Sequence, residues 1–338
     1  MSFINTIKQY LSLTKTSKKK NGGNHVMNKK KRTLKKDFQP MNCHPGVKNK
    51  VKEDSCFTPE ILMKIQAKYN ENHPTNKITE NDPRKIWQEL KNRLECNKEE
   101  CWLNQIDDPN MRKQITKHIF APKHPPEWNN NPDEWLSNYD IFEVIKQYEV
   151  SHPEFKMIGP TTIDFDAKVP EYGGKCVLED LCKFSLESFI RAKKTKIGIV
   201  FNLDRYYESG SHWVSMFIDL KNKFIFYFDS ADNDIPREIW QSNTSGMTIL
   251  PLVNRIIQQG KELNKPIHFK FYNNQGVRHQ NGNTECGMYS LFFIITMLTG
   301  KTPFTKGILS RKQRIHLFVK TKIPDRVVFK YRKLYFND

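Results

Sequence analysis

The chain has 338 residues, of which 37% are hydrophobic and 12% aromatic, and its formal net charge is +18. This length suits one large domain or two modest ones, and the composition excludes intrinsic disorder as a description of the whole chain. The longest uninterrupted apolar run, residues 291–298, is too short to cross a bilayer. We therefore expect a soluble protein with no membrane partner.

The seven cysteines favour a reducing compartment. Their number is odd, and the first residues lack the sustained apolar stretch of a secretory signal. We therefore predict free thiols. Cys96, Cys101, His118 and His124 loosely imitate a zinc finger, but an acidic stretch typical of a helix lies between the two cysteines. We expect no metal site and no cofactor.

The first 50 residues are strongly basic. They hold 13 lysines and arginines and one acidic residue, Asp37. Blocks of like charge repel one another and bury little surface, so residues 1–50 are predicted to form a disordered basic arm. Three roles fit such an arm: a solvated tail, a nuclear-import signal, or a contact with nucleic acid through its phosphates. The basic blocks lack interleaved aromatic residues, so a contact with nucleic acid would be nonspecific.

Helix-start signals dominate the next hundred residues. Thr58-Pro59, Asp82-Pro83 and Asn131-Pro132 each place a capping residue before a proline at the first helical position. Residues 51–150 are therefore predicted to be a helical N-terminal region. Strand patterns then appear beside helical ones, so residues 151–338 are predicted to form a second, α+β domain.

Two neighbouring strands are predicted in this second domain. Residues 213–219 alternate in polarity, and residues 224–230 are almost continuously apolar. A hairpin with its turn near residues 221–223 would bring His212 and Asp229 to the same end of a sheet. Further strands are predicted at residues 197–203 and 267–271, and helical segments at 186–191, within 236–259 and at 309–335.

Cys286 stands where a polar loop, residues 280–285, meets the run that ends at Leu298. If that run is a helix, Cys286 lies in its first turn, where free backbone N–H groups and the helix dipole favour a thiolate. A thiolate is the nucleophile that acyl-transfer chemistry needs. The alternative is that Cys286 is a small buried hydrophobic residue, the common role of a free cysteine.

The order and spacing of four positions resembles a known family. His212 is followed by Trp213, Asp229 ends the next strand, and Gln280 stands six residues before Cys286, which is followed by glycine. This order resembles the adenain-type and ubiquitin-like-protein-specific (SUMO protease-like) cysteine proteases. The layout of the helical region is also similar to that of thiol proteases of large DNA viruses. The resemblance implies an α+β fold related to papain, with a central mixed β-sheet flanked by helices.

The resemblance also implies a role for each residue. His212 would be the general base, Asp229 would orient it, and Cys286 would attack the substrate. The Gln280 side-chain amide and the Cys286 backbone N–H would form the oxyanion hole. Trp213 would bind substrate by closing over a narrow channel built for Gly-Gly.

The implied activity is that of a thiol endopeptidase that cleaves after glycine in Gly-Gly-X sites. Its expected substrate is a viral structural precursor, cut during maturation in the virion and the host cytoplasm. Three alternatives stay open: a protease that removes a conjugated ubiquitin-like modifier, an acetyltransferase with the same triad, and a non-catalytic basic virion protein that binds nucleic acid. Features of acetyl-CoA binding are not evident, and the complete set of four residues disfavours a decayed site.

Overall fold

The computed structural model describes residues 38–247 and 250–338. This part of the chain divides into two compact units. The first ends at Ala121 and also contains Asn337, and the second comprises Pro122–Phe336 and Asp338. Most of the predicted basic arm, residues 1–37, lies outside the described residues.

The first unit is helical. It contains α1 (Pro59–Asn72), α2 (Pro83–Arg93), a 3₁₀ helix (Glu99–Gln105) and α3 (Pro109–Ile119). The helix starts predicted at Pro59 and Pro83 are confirmed. Asp82 caps α2 with its side chain, which accepts hydrogen bonds from two backbone amides in the first turn.

The core of the first unit is built from aromatic rings around Trp102. Trp87 and Phe57 pack against it with ring centroids 5.4 and 5.8 Å away. Phe38 contacts Trp87 at 5.1 Å, so residues near position 38 belong to this core although the charge pattern grouped them with the arm.

The second unit combines helices with a five-stranded sheet. Its helices are α4 (Asn138–Lys146), α5 (Tyr148–Ser151), α6 (Glu179–Cys182), α7 (Leu186–Arg191), α8 (Leu252–Glu262), α9 (Cys286–Thr299), α10 (Arg311–Lys320), α11 (Asp325–Lys330) and α12 (Arg332–Tyr335). Its strands are β1 (Phe155–Thr162), β2 (Lys168–Val169), β3 (Lys175–Cys176), β4 (Lys196–Asn202), β5 (Trp213–Asp219), β6 (Phe224–Phe228) and β7 (Lys270–Asn273). The unit begins at Pro122, so it includes residues 122–150, which the helix-start signals grouped with the N-terminal region.

The main sheet is mixed, as predicted, with strand order β1-β4-β5-β6-β7. The outer pairs β1/β4 and β6/β7 are parallel, and the inner pairs β4/β5 and β5/β6 are antiparallel. The strand β6 is buried on both faces, which explains its continuous apolar pattern. Phe226 and Phe228 pack on Phe293 of α9, while Ile225 and Tyr227 belong to the core cluster that includes residues of α8.

Four predicted elements differ from the structure. Helical segments are predicted within residues 236–259, but the helix there, α8, begins only at Leu252. The strand predicted at residues 267–271 begins at Lys270, and the helix predicted at Pro132 begins at Asn138. That helix is set by a capping box between Ser137 and Asp140, which satisfies the free backbone amides of its first turn. The single helix predicted at residues 309–335 is three helices, and Pro324, which cannot continue a helix that precedes it, lies directly before α11.

Six of the seven cysteines form disulfides. The pairs are Cys43–Cys56, Cys96–Cys101 and Cys176–Cys182. The prediction of free thiols is wrong for these six, and the reducing compartment loses the support that it drew from them. The partners are 13, 5 and 6 residues apart, so local loops bring them together, which a count of cysteines does not reveal. Cys286 is the free cysteine of the described chain.

Two absences hold for residues 38–247 and 250–338. No helix there has both the length and the apolar character that crossing a membrane requires. No group of three metal-ligating side chains occurs there either.

Candidate active site

The hairpin of β5 and β6 brings His212 and Asp229 together. His212 immediately precedes β5, and Asp229 immediately follows β6. The strands are antiparallel, with Ser215 paired to Phe228, so the start of one lies beside the end of the other. The Nε2 atom of His212 lies 2.6 Å from Oδ1 of Asp229.

Asp229 is held as an ionised acceptor. It is 2% exposed and accepts hydrogen bonds from the backbone amides of Ala231 and Asn233, at 2.8 and 3.1 Å. The Asn233 side chain donates a third, at 2.9 Å. Burial alone would raise the pKa of Asp229. The hydrogen bonds and charge of His212 and the two backbone amides lower it by more than that, so the pKa lies below its ordinary value.

His212 is held as an imidazolium. Burial lowers its pKa, but hydrogen bonds and charge interactions with Asp229 and Cys286 outweigh that effect and raise the pKa to about 9. Because Nε2 contacts Asp229, the nitrogen left to face the Cys286 sulfur is Nδ1. The ring therefore stands between a carboxylate and the thiol.

Cys286 is the first residue of α9 and is 1% exposed. The prediction that it opens a helix is confirmed, so its sulfur lies at the helix end with free backbone N–H groups. Glycine follows because there is no room for a side chain. A Cβ on Gly287 would lie 3.0 Å from Cβ of Leu136 and 3.4 Å from Cδ1 of Trp213.

Gln280 lies in the loop that leads from β7 to α9 and is 2% exposed. Its Oε1 accepts a hydrogen bond from the Ser230 hydroxyl at 2.7 Å, and its Nε2 donates one to the Gly282 carbonyl at 3.0 Å. A side-chain amide has two N–H groups, so one N–H remains for a reacting oxygen.

Two carboxylates secure the loop before Cys286. Asp325 accepts hydrogen bonds from the Asn281 amide at 3.1 Å and the Gly282 amide at 2.9 Å. Glu285 forms an ion pair with Arg332 at 2.9 Å, and both side chains are almost fully buried. The sequence pattern did not identify these partners, since Asp325 and Arg332 lie about 40 residues further along the chain.

Trp213, the predicted substrate-binding residue, lies 8% exposed at a groove of 820 Å³. Its indole N–H donates to the Leu136 carbonyl at 2.9 Å, which fixes the ring. Ser209 and Gly210, which precede His212, line the same groove. The groove therefore reaches the residues on either side of His212 in the chain, whereas His212, Gln280 and Cys286 are not among the residues that line it.

His279, next to Gln280, has a different environment. It is fully buried, with Nε2 2.9 Å from the Phe318 carbonyl and Nδ1 accepting from the Ile323 amide at 3.1 Å. Burial lowers its pKa to about 4. Both ring nitrogens are thus engaged in packing the C-terminal segment, and His279 is not a second base.

The chain is similar in sequence to viral proteases. A protein of Acanthamoeba polyphaga mimivirus whose name assigns it to the thiol proteases is 26% identical over 270 residues, which cover 74% of this chain and 82% of that protein. The SUMO-1 cysteine protease of African swine fever virus (isolate Pig/Kenya/KEN-50/1950) is 25% identical over 304 residues, or 87% of this chain and 94% of the relative.

A solved structure shares the fold. The crystal structure of the selenomethionine form of an African swine fever virus protease aligns with a TM-score of 0.54 at 20% identity, and the alignment covers 90% of this chain and 98% of that one. The family model of the Ulp1 protease family, C-terminal catalytic domain, matches residues 187–326. These residues include the hairpin, the loop and the helix that surround Cys286. Residues 187–326 therefore match the catalytic domain of the Ulp1 protease family, and the chain is a cysteine-type peptidase.

Proposed function

We propose that the chain is a thiol endopeptidase that cleaves after glycine, at Gly-Gly-X sites in viral structural precursors. The observation that carries the proposal is the buried contact between His212 and Asp229 beside Cys286. It provides a nucleophile, a base and an orienting carboxylate in the arrangement that acyl transfer needs.

The reaction begins from the ion pair in which the proton of the Cys286 thiol is already held on Nδ1 of His212, so that the ring is an imidazolium and the sulfur is a thiolate. The thiolate attacks the carbonyl carbon of the scissile bond, and the carbonyl oxygen becomes an oxyanion that accepts from Nε2 of Gln280 and from the Cys286 amide. The imidazolium gives its proton to the leaving amine, and the C–N bond breaks. Water then attacks the thioester, with His212 as base, and releases the acid and the free thiol.

The preference for glycine rests on Trp213. Its ring is held by Leu136 and lies against Gly287, so it does not swing aside to admit a side chain. A residue without a Cβ passes most easily under such a ring. Peptides that end in Gly-Gly before the scissile bond should therefore react faster than matched Ala-Ala peptides.

The resemblance of the helical region to thiol proteases of large DNA viruses makes a viral structural precursor our first candidate for the natural substrate. The name of the African swine fever virus relative, a SUMO-1 cysteine protease, supports a conjugated ubiquitin-like modifier as the second candidate. The peptidase family disfavours acetyl transfer and a non-catalytic role. Action in the virion and host cytoplasm, and contact between the basic arm and nucleic acid, stay predictions.

The test is cleavage by the purified full chain, read by mass spectrometry. The substrates are a viral precursor with Gly-Gly-X sites, its Ala-Ala-X counterpart and a ubiquitin-like conjugate. We expect cuts after Gly-Gly in the precursor and no cuts with Cys286→Ala. Equal cleavage of the Ala-Ala precursor contradicts the glycine preference, and preferred cleavage of the conjugate supports the second candidate.

A further inference from the structure

We propose that Ser230 is a positioning residue that fixes the orientation of the Gln280 side-chain amide. The proposal rests on the proposed function, in which Gln280 is an oxyanion donor. In this proposal, Ser230 orients the Gln280 side chain as Asp229 orients the His212 ring.

Ser230 contacts Gln280 through both its side chain and its backbone. It directly follows Asp229 and is 1% exposed. Its hydroxyl donates to Oε1 of Gln280 at 2.7 Å, and its backbone carbonyl accepts from the Gln280 amide at 2.8 Å and the His279 amide at 3.0 Å. Gln280, the proposed oxyanion donor, is thus held by Ser230 at both its side chain and its backbone amide.

The orientation of the amide follows from the chemistry of its two neighbours. The Gly282 carbonyl only accepts hydrogen bonds, so the amide atom 3.0 Å from it is Nε2. The atom that faces Ser230 is then Oε1, which only accepts, so the serine hydroxyl must donate. A rotation of the amide by 180° would place oxygen against oxygen at Gly282 and would present a carbonyl oxygen, in place of an N–H, to the developing oxyanion.

The segment that carries Ser230 is itself rigid. The Asn274 side chain is 2% exposed, and it accepts from the Asp229 amide at 2.9 Å and donates to the Asp229 carbonyl at 2.7 Å. Two adjacent residues on this anchored turn therefore orient the base and the oxyanion donor together. Without the Ser230 hydroxyl, Oε1 of Gln280 has no hydrogen-bond donor. The Gly282 carbonyl is then the only one of these two neighbours that favours the correct orientation of the Gln280 amide.

The test is a double-mutant cycle with Ser230→Ala and Gln280→Ala on a Gly-Gly-X peptide. We expect Ser230→Ala to lower kcat roughly tenfold with little change in KM. In the Gln280→Ala background, the same change should alter kcat by less than about twofold, because there is no amide left to orient. The pH at which activity falls on the basic side should stay at the wild-type value, since His212 and Asp229 are untouched.

Ser215→Ala is the matched control. Ser215, in β5, is also fully buried, and its hydroxyl has no hydrogen-bond partner among the described residues. This variant should keep wild-type kcat. Ser230→Cys, which retains a weak donor of similar size, is run through the same cycle in case Ser230→Ala does not fold, and its kcat should lie between those of Ser230→Ala and wild type.

Each other outcome has a distinct meaning. If Gln280→Ala alone leaves kcat unchanged, the oxyanion role in the proposed function is wrong. If Gln280→Ala is impaired but Ser230→Ala is not, or if the two losses multiply, the positioning role of Ser230 is wrong. A Ser230→Cys kcat at or below that of Ser230→Ala overturns it as well.

Discussion

His212 and Asp229 are 17 residues apart in sequence, yet Nε2 of the ring lies 2.6 Å from Oδ1 of the carboxylate. The antiparallel register of β5 and β6 produces this contact, and burial makes it effective, since the side chains are 15% and 2% exposed. Charge pairs shielded from water interact more strongly than exposed ones. The protonated ring is therefore maintained well above neutral pH.

Asp229→Asn should change the pH dependence of catalysis. Because the pKa of His212 is raised to about 9, the imidazolium is present below that pH, and kcat/KM of the wild type should fall as pH rises through 9. Without the carboxylate the fall should move to lower pH, and kcat/KM at neutral pH should drop about a hundredfold or more. A kcat/KM profile from about pH 6 to 10.5 measures both effects.

The control for this variant is Asp180→Asn, which removes an exposed carboxylate of the same unit. It should keep the wild-type profile. A basic limb that stays at the same pH in Asp229→Asn would show that Asp229 does not set the charge of His212.

Gln280→Ala should impair the chemical step and leave substrate binding almost unchanged. Removal of one oxyanion donor typically lowers kcat by a factor of about 100 to 1,000. Steady-state kcat and KM on a Gly-Gly-X peptide measure the effect, with Gln258→Ala, at an exposed position of α8, as the control. A rise in KM with kcat intact would instead assign Gln280 to ground-state binding.

Removing one partner of the buried ion pair between Glu285 and Arg332 should strongly destabilise the fold. Arg332 also donates to the Glu134 carbonyl at 2.9 Å and stacks over Trp128 at 4.2 Å. Arg332→Met leaves the Glu285 carboxylate buried without its partner, so it should lower the free energy of unfolding by about 3–5 kcal/mol. Urea unfolding of the full chain measures the change.

The matched comparison is the exposed ion pair between Glu179 of α6 and Lys183, the residue that follows this helix. Lys183→Met should cost less than about 1 kcal/mol, because water screens that pair. If Arg332→Met costs no more than Lys183→Met, the buried pair is not a stabilising feature of the active-site loop.

His279 should make the fold sensitive to acid. The pKa of His279 in the folded state is about 4, below the ordinary value of 6.5. Above pH 6.5 the ring is therefore neutral in both the folded and the unfolded chain, and its burial costs no stability through protonation. As pH falls from 6.5 towards 4, the unfolded chain binds a proton that the folded chain rejects, and stability decreases, by about 3 kcal/mol from this residue.

The unfolding free energy at about pH 7 and about pH 4.5 tests this. His279→Asn should show a smaller loss between the two values than the wild type, whereas His268→Asn, at an exposed position, should show the wild-type loss. An identical loss in His279→Asn and wild type would remove His279 as a cause of acid sensitivity.

The central features were predictable because they depend on local patterns. The apolar run of β6 and the helix behind Cys286 follow from burial on all sides, and the short turn between β5 and β6 determines which ends meet. The hairpin is sufficient to place His212 and Asp229 beside each other, whereas the position of Cys286 next to them was implied by the resemblance, because it depends on how α9 packs on the sheet.

Other features depend on contacts between distant residues. The strand β1 contains Gly159-Pro160, a pair typical of turns. These residues are nevertheless part of a strand, because β1 pairs with β4 in the sheet. Asp325 and Arg332 lie in short basic helices, where a single acid or arginine usually faces solvent. The role of these residues in securing the loop before Cys286 arises only when the C-terminal segment packs against that loop.

The most direct test of the account is labelling by a peptide probe that carries an electrophile after Gly-Gly. The full chain and its Cys286→Ala and His212→Ala variants are treated with the probe and analysed by peptide mass spectrometry. We predict one adduct, at Cys286, in the wild type, no adduct in Cys286→Ala and strongly slowed labelling in His212→Ala. An adduct at another cysteine, or labelling of Cys286 at the same rate without His212, would contradict the account.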